Sequence, residues 1–459
     1  MKKLDLYTDS DALEDIQAMI LKPHAKDLVR CIFLEFKEGS EPFEKLACLA
    51  ECITSAAEQN RRIDKFKSAN ADQKDIIIGA YLSYDGYLKL GLDLPNSSTF
   101  KNRMKWNSSS RLNDVSKEYW QTEFNSNIDM MLLLATNSKD QLNEVTKEIK
   151  KLFNHLIEQS KCFEENGERI YILNNSKKMS IEPFGYRDGL SQPRFFDKRK
   201  SRRNVILKDR WKQVIDGRGG SYLVFRKLEQ DVIKFNCMVM ELSKKLGISK
   251  EYAEAQIMGR FKNGVPLSEF ATYKNLAEDR QQTIQDQFDD FYLIGKNQLS
   301  YENDPMGLKC PLHAHVRKVN PRNKDLNIQY NQQQSKPPRR ARIVRRSIPY
   351  DGHDGTVGIL FMSFQRDLDQ FLQIQKDWSN DDGFSPGDKR IKPGMDPVIG
   401  QKDNTSMGSG KLNVQQWNTK WEEYGKISFD FTEVVSFRGG EYFYAPCISF
   451  FKNLRQRPK

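Results

Sequence analysis

Histidine is scarce in this chain: His24, His155, His313, His315 and His353 are the five in 459 residues. So small a supply argues against a histidine-rich metal centre, though one imidazole can still serve a single ion. Cysteine offers no framework either. Its seven residues (Cys31, Cys48, Cys52, Cys162, Cys237, Cys310 and Cys447) are scattered, odd in number and without a CxxC, a pattern that suggests neither a disulfide scaffold nor a structural zinc site. No segment reaches about 18 uninterrupted apolar residues. The opening MKKLDLYTDSDALEDIQAM has neither the apolar run of a secretory signal nor a twin-arginine pair. These absences predict a protein without a membrane partner, located in the cytoplasm.

What the chain does have is positive charge, +11 overall. Basic residues gather in KRKSRR (198–203) and KPPRRARIVRR (336–346), while Asp286, Asp289, Asp290, Asp381 and Asp382 stand as acidic counterparts. Two loop patches without interleaved aromatics argue against nucleic acid and for a solvated surface that draws small anions. The composition, 38% hydrophobic and 29% charged, is that of an ordinary folded protein.

From Arg30, CIFLEF reads as a strand, and residues 41–62 place Phe43, Leu46, Leu49, Ala50 and Ile53 at helical spacing. IIIGAYLS (76–83) and DMMLLLAT (129–136) read as strands. A helix over 140–158 carries Leu142, Val145, Ile149, Leu152, Phe153 and Leu156 on one face, with His155 turned away, and RIYIL (169–173) closes a βαββαβ series. The order then returns: SYLVF (221–225), helical material from Lys227 to about Arg260, a strand-like segment near His315, GILFMSF (358–364), a helix over 366–378 and EYFYAPCISFF (441–451). This predicts an α+β fold of two tandem ferredoxin-like βαββαβ halves, antiparallel sheets packed between helices. The division is 1–190, a basic connection 191–220, and 221–459. The segments 191–220, 323–342 and 379–411 read as loops, long enough to wall a pocket.

Three segments could carry chemistry. CPLHAHVRKVNPR (310–322) holds two of the five histidines, followed by Arg317, Lys318 and Arg322. One imidazole suffices for a haem iron, and cations beside it would pair with haem propionates. A surface HxH in a basic loop is the commoner outcome for such a segment. In GYRDGLSQP (185–193), Gly185 and Gly189 flank Asp188 and free the backbone for turns that aim the carboxylate inward. A plain Asp-Gly turn fits equally. In RIVRRSIPYDG (342–352), Arg345 would be a fixed cation and a fork of donors if it faces a closed pocket, and part of a solvated basic run if it does not.

Taken together and in this order, the three segments resemble the dye-decolourising peroxidase family. GYRDG is similar to that family's GxxDG motif, CPLHAHVR to the segment with its proximal histidine, and VRRSIPY to the segment with its distal arginine. The resemblance extends through DIQAMILKPHAKDLVRCIFLEF (15–36), GILFMSFQRDLDQFLQIQKDW (358–378) and FRGGEYFYAPCISF (437–450), nearly the whole chain. It looks most like the larger, soluble branch and implies a dimeric α+β barrel type of fold. It implies His315, five residues after Cys310, as the iron ligand, since His313 stands where the family has an apolar residue. It implies Asp188 as the distal acid, Arg345 as the distal arginine, and Ile359 and Phe361 as apolar neighbours of the peroxide site. Glu433 is the expected carboxylate behind the ligating histidine, with Asp430 as fallback. The stretch MKWNSSSRLND (104–114) departs from the family pattern in having less glycine.

The implied cofactor is haem b, and the implied partners are hydrogen peroxide and a phenolic or dye-like aromatic donor. Asp188 would shuttle a proton and Arg345 stabilise the departing charge. Trp211, Trp378, Trp417, Tyr442 and Tyr444 are candidates, by residue type, for relaying electrons, with packing as the commoner role. A haem-handling or iron-release protein of the same fold, and a basic nucleic-acid-binding protein, are the alternative functions. The sequence leaves the oligomeric state, the physiological donor and any encapsulating partner open.

Overall fold

The computed structural model describes residues 10–67, 75–174, 177–190, 214–216, 218–272, 301–321, 341–352, 354–402, 414–431 and 433–456. KRKSRR, most of 191–220, residues 322–340, Asp286, Asp289, Asp290, Trp211 and His353 lie outside the described residues.

The first half opens with β1 (Leu28–Leu34), followed by α1 (Phe43–Leu49) and α2 (Ala56–Lys67). The helical periodicity over 41–62 is thus split in two by an extended turn at 54–55. Next come β2 (Ile77–Ser83) and β3 (Met130–Thr136), buried along their whole lengths, which is why both read as unbroken apolar runs. In α3 (Lys139–Phe153), Ser138 accepts the Gln141 N–H at the N-terminus, and Leu142, Thr146, Ile149 and Phe153 form the buried stripe. The half ends on β4 (Phe163–Glu168). RIYIL, expected as the closing strand, instead forms a separate hairpin of β5 (Ile170–Asn174) and β6 (Lys177–Ile181), with Leu173 77% exposed.

The second half repeats the plan. β7 (Ser221–Gln230) runs past Lys227, where helix was expected, into α4 (Val232–Leu246) and α5 (Lys250–Met258). α4 is capped by Asp231 at its start and by Gly247, φ 66°, at its end. The segment at His315 is a short helix, α6 (His315–Val319), where a strand was expected. β8 (Val344–Arg345), β9 (Ile348–Asp351) and β10 (Val357–Gln365) follow. α7 (Asp369–Leu372) continues as a wider π-helical turn over Gln373–Ser379, a small hairpin of β11 (Gln415–Asn418) and β12 (Lys426–Phe429) intervenes, and β13 (Val435–Ala445) completes the half.

The principal sheet has nine strands in the order β4-β1-β3-β2-β13-β7-β10-β8, with β9 also on β10 and every pair antiparallel. Each half therefore has the ferredoxin-like spatial order 4-1-3-2, and the halves join at β2 and β13. The ends come round to each other: Gly167 on β4 lies so close to β9 that a Cβ there would run into the Ile348 side chain. Side chains from both halves fill the enclosed core, where the Phe33 and Phe225 rings meet edge to face at 5.0 Å. This is an α+β barrel. Among the described residues no helix is long and apolar enough to cross a membrane.

Candidate active site

The loop after β6 is anchored by its aromatics. Phe184 stacks on Phe235 of α4 at 4.2 Å, and the Tyr186 hydroxyl donates to the Glu254 carbonyl at 2.7 Å. Between and beyond them Gly185 (φ 90°) and Gly189 (φ 80°) take left-handed conformations that side chains resist. Asp188 is left half-buried, its N–H donated to the Ser180 carbonyl at 2.9 Å.

Arg345 comes to this loop from β8, where its Nη2 donates to the Leu190 carbonyl at 3.3 Å. Strand alternation separates the arginine pair. Arg345 is exposed, while Arg346 is buried and donates to the carbonyls of Met19, Ile20 and Arg345; burial pushes its guanidinium down to about 9. Arg345 lies opposite Ser363 on β10, so it shares a face with Phe361 and Ile359, both half-buried. Asp188, Arg345, Gly185, Gly189, Ile359 and Phe361 thus fall on one loop and one sheet face.

On α6, His315 Nδ1 stands 2.9 Å from Asp396 Oδ2. The carboxylate is fully buried and the imidazole keeps 17% of its side chain exposed. Asp396 is itself fixed, because its Oδ1 accepts the Val398 and Ile399 N–H groups at 2.8 and 3.1 Å. A carboxylate on Nδ1 favours the proton on that nitrogen and would leave Nε2 able to coordinate. This donor set suits a haem iron held by one histidine. His313, by contrast, is enclosed against Trp417 with ring centroids 4.2 Å apart. Burial pushes its imidazole well below the usual range, with the cations of Lys318 and Lys426 adding to the effect.

The expected carboxylates and cations stand elsewhere. Glu433, expected behind the histidine, is 59% exposed in its side chain and pairs with Lys234 and Lys402, while Asp430 pairs with Lys402 at 3.3 Å. Asp396 occupies the position expected of them. Arg317, expected to face the propionates, is fully buried in an ion pair with Asp304 at 2.8 Å. Asp304 also accepts the backbone N–H groups of Leu308, Lys309 and Cys310, so the pair shapes the loop leading to α6. Lys318 is buried too, donating to the Trp378 and Asp381 carbonyls, and desolvation brings it down to about 8. Of the relay candidates, Trp378, Trp417, Tyr442 and Tyr444 are all core residues.

One turn joins the two groups of residues. A Cβ on Gly259 would stand 2.6 Å from Val316, next to His315. Lys262 accepts the Arg187 N–H through its carbonyl at 2.8 Å, and Gly264 packs against Leu190. The histidine wall and the Asp188 loop are therefore set against the same short segment.

The sequence matches the DyP dimeric alpha+beta barrel domain over residues 15–167 and the C-terminal domain of Dyp-type peroxidases over 180–389. It is 28% identical to the multifunctional dye peroxidase DyP2 of Amycolatopsis sp., covering 96% of each chain, and 26% identical to a dye-decolorizing peroxidase of Exidia glandulosa, covering 95% of this chain and 85% of that one. Among solved structures it is similar to the DyP-type peroxidase of Anabaena sp., with a TM-score of 0.79 at 28% identity over 97% of this chain and 95% of that one.

Proposed function

From the premise that the chain belongs to the dye-decolourising peroxidase family, and is an oxidoreductase that uses peroxide, we propose that His315, Asp188 and Arg345 form its reaction centre. Members of this family are haem enzymes, and haem b bound at His315 would supply an iron able to take two oxidising equivalents from hydrogen peroxide and pass them singly to a phenolic or dye-like donor. The observation that carries this reading is the His315–Asp396 pair, an imidazole with one nitrogen claimed by a buried carboxylate and the other free to ligate.

The chain's own residues supply the rest. Asp396 fixes the tautomer and angle of the ring. Asp188 takes a proton on a carboxylate oxygen from one oxygen of hydrogen peroxide and hands it to the other, the two electrons that break the O–O bond being what the haem would supply. Arg345 places a permanent cation where negative charge gathers during that cleavage. Ile359 and Phe361 line the same face and keep water from competing.

Hemin titration followed at the Soret band tests the ligand, and His315→Ala should remove most of the band while His313→Leu keeps it. Stopped-flow mixing with peroxide tests the distal pair. Asp188→Asn and Arg345→Leu should each slow the reaction by roughly 10²–10⁴-fold, the usual worth of a positioned proton carrier or charge donor. Full-speed reaction in both variants refutes the assignment. A protein that binds haem yet oxidises no donor supports a haem-handling role instead.

A further inference from the structure

The backbone that presents Asp188 is held by a second carboxylate. Glu182 follows β6 directly and lies partly buried, and desolvation raises its carboxyl above the usual range. Its Oε1 accepts the Tyr186 N–H at 2.9 Å, and its Oε2 accepts the Phe184 N–H at 3.0 Å and the Gln230 side-chain amide at 2.7 Å. Its backbone closes the same turn: the Glu182 N–H donates to the Tyr186 carbonyl at 2.9 Å, and the Gly185 N–H to the Glu182 carbonyl at 2.7 Å. Gln230 is the last residue of β7, where it pairs with Val435 of β13. Through Glu182, residues 184–186 are thus tied to the paired ends of β7 and β13.

The need for such a tie follows from the loop's composition. Gly185 and Gly189, on either side of Asp188, give the backbone more conformations than any other residue would, and the ordering entropy must be met by contacts. Among the described residues, the backbone of Asp188 is held by one bond, its N–H to the Ser180 carbonyl. We propose that Glu182 is a positioning residue for Asp188, clamping the glycine turn to β7 so that the proton-carrying carboxylate has a single placement. This rests on the reading of Asp188 as the proton carrier.

Glu182→Gln tests it, since glutamine keeps the volume but presents one acceptor where two are used. In the haem-loaded enzyme, the second-order rate with peroxide should fall about 10–100-fold, the usual cost of losing an orienting partner, while the rate of donor oxidation after peroxide treatment stays unchanged. In an Asp188→Asn background the same change should cost no more than about twofold, because a residue acting through Asp188 has nothing left to position. Amide hydrogen exchange over 182–190, read with and without haem, should quicken in Glu182→Gln. Gln230→Met, which removes one donor and leaves the loop N–H bonds, should show a weaker form of both effects and serves if Glu182→Gln does not fold. The proposal is overturned if Glu182→Gln reacts at full speed while Asp188→Asn is slow, or if it loses as much in the Asp188→Asn background as alone. If Asp188→Asn itself reacts at the wild-type rate, the underlying reading fails instead.

Discussion

Replacing Asp396 by asparagine changes almost no volume but inverts half of its hydrogen bonding. Asp396 accepts at both oxygens, from His315 at one and from the Val398 and Ile399 N–H groups at the other. Asparagine has one acceptor and one donor. If its oxygen keeps the two backbone N–H groups, its amide donates to His315 Nδ1, and the ring's proton must sit on Nε2, the nitrogen needed as ligand. If it turns over, two N–H groups lose their acceptor, at about 1–3 kcal/mol each where they are buried. The cheaper course still costs about 1–3 kcal/mol, or roughly 10–100-fold in affinity at about 1.4 kcal/mol per tenfold. Hemin titration should therefore give Asp396→Asn a Kd raised by that factor, and no better than that of Asp396→Ala, which leaves either tautomer open. Wild-type affinity in Asp396→Asn would refute the assignment of His315 Nδ1–H to this carboxylate, and with it the choice of Nε2 as ligand.

Three further outcomes follow from other parts of the molecule. Burial first, with the cations of Arg169, Arg346 and Lys26, pushes His24 down to about 3 from 6.5. The unfolded chain therefore binds this proton before the folded one does, so stability is intact above pH 6.5 and falls as pH drops from there toward 3. Urea unfolding of His24→Asn should show a shallower loss between pH 7 and pH 4, and an unchanged slope contradicts this. Asp114→Ala strands the buried Arg226 guanidinium, which lies over the Phe437 ring at 4.0 Å, and should cost about 3–5 kcal/mol in denaturant titration; a loss under about 1 kcal/mol contradicts it. With a net charge of +11, the KM for a sulfonated dye should rise with salt while that for a neutral phenol holds, and parallel behaviour removes the electrostatic account.

The fold was most legible where strands are buried on both faces, as β2 and β3 are, because a short continuous apolar run between polar loops suits a fully buried strand better than a helix. It was least legible at edges. FEENGE, β4, is a polar strand that the apolar pattern passes over, and RIYIL, the apolar segment beside it, is an exposed hairpin. The five residues of α6 are too few for a helical period to show. In the candidate site, Asp188, Arg345 and His315 stood out through family resemblance, and alternation at β8 explains why Arg345, and not the buried Arg346, shares the sheet face of Phe361 and Ile359. Asp396 escaped because nothing in an irregular segment marks a carboxylate whose partner lies 81 positions away. Its one local sign is an Asp-Pro followed by N–H groups two and three residues on, the pattern of a side-chain-closed turn. Arg317 misled because a cation next to a histidine looks the same in sequence whether it serves a ligand or an internal aspartate.

The bond from Arg345 to the Leu190 carbonyl spans 155 positions of the chain and crosses from the end of one half to the sheet of the other. Closing so long a loop belongs to the late stages of folding, after each half has gathered its nearer contacts. Arg345 then reaches the loop that bears Asp188 only once both halves are in place. On the roles proposed above, the two side chains could act together only in a chain whose halves are joined.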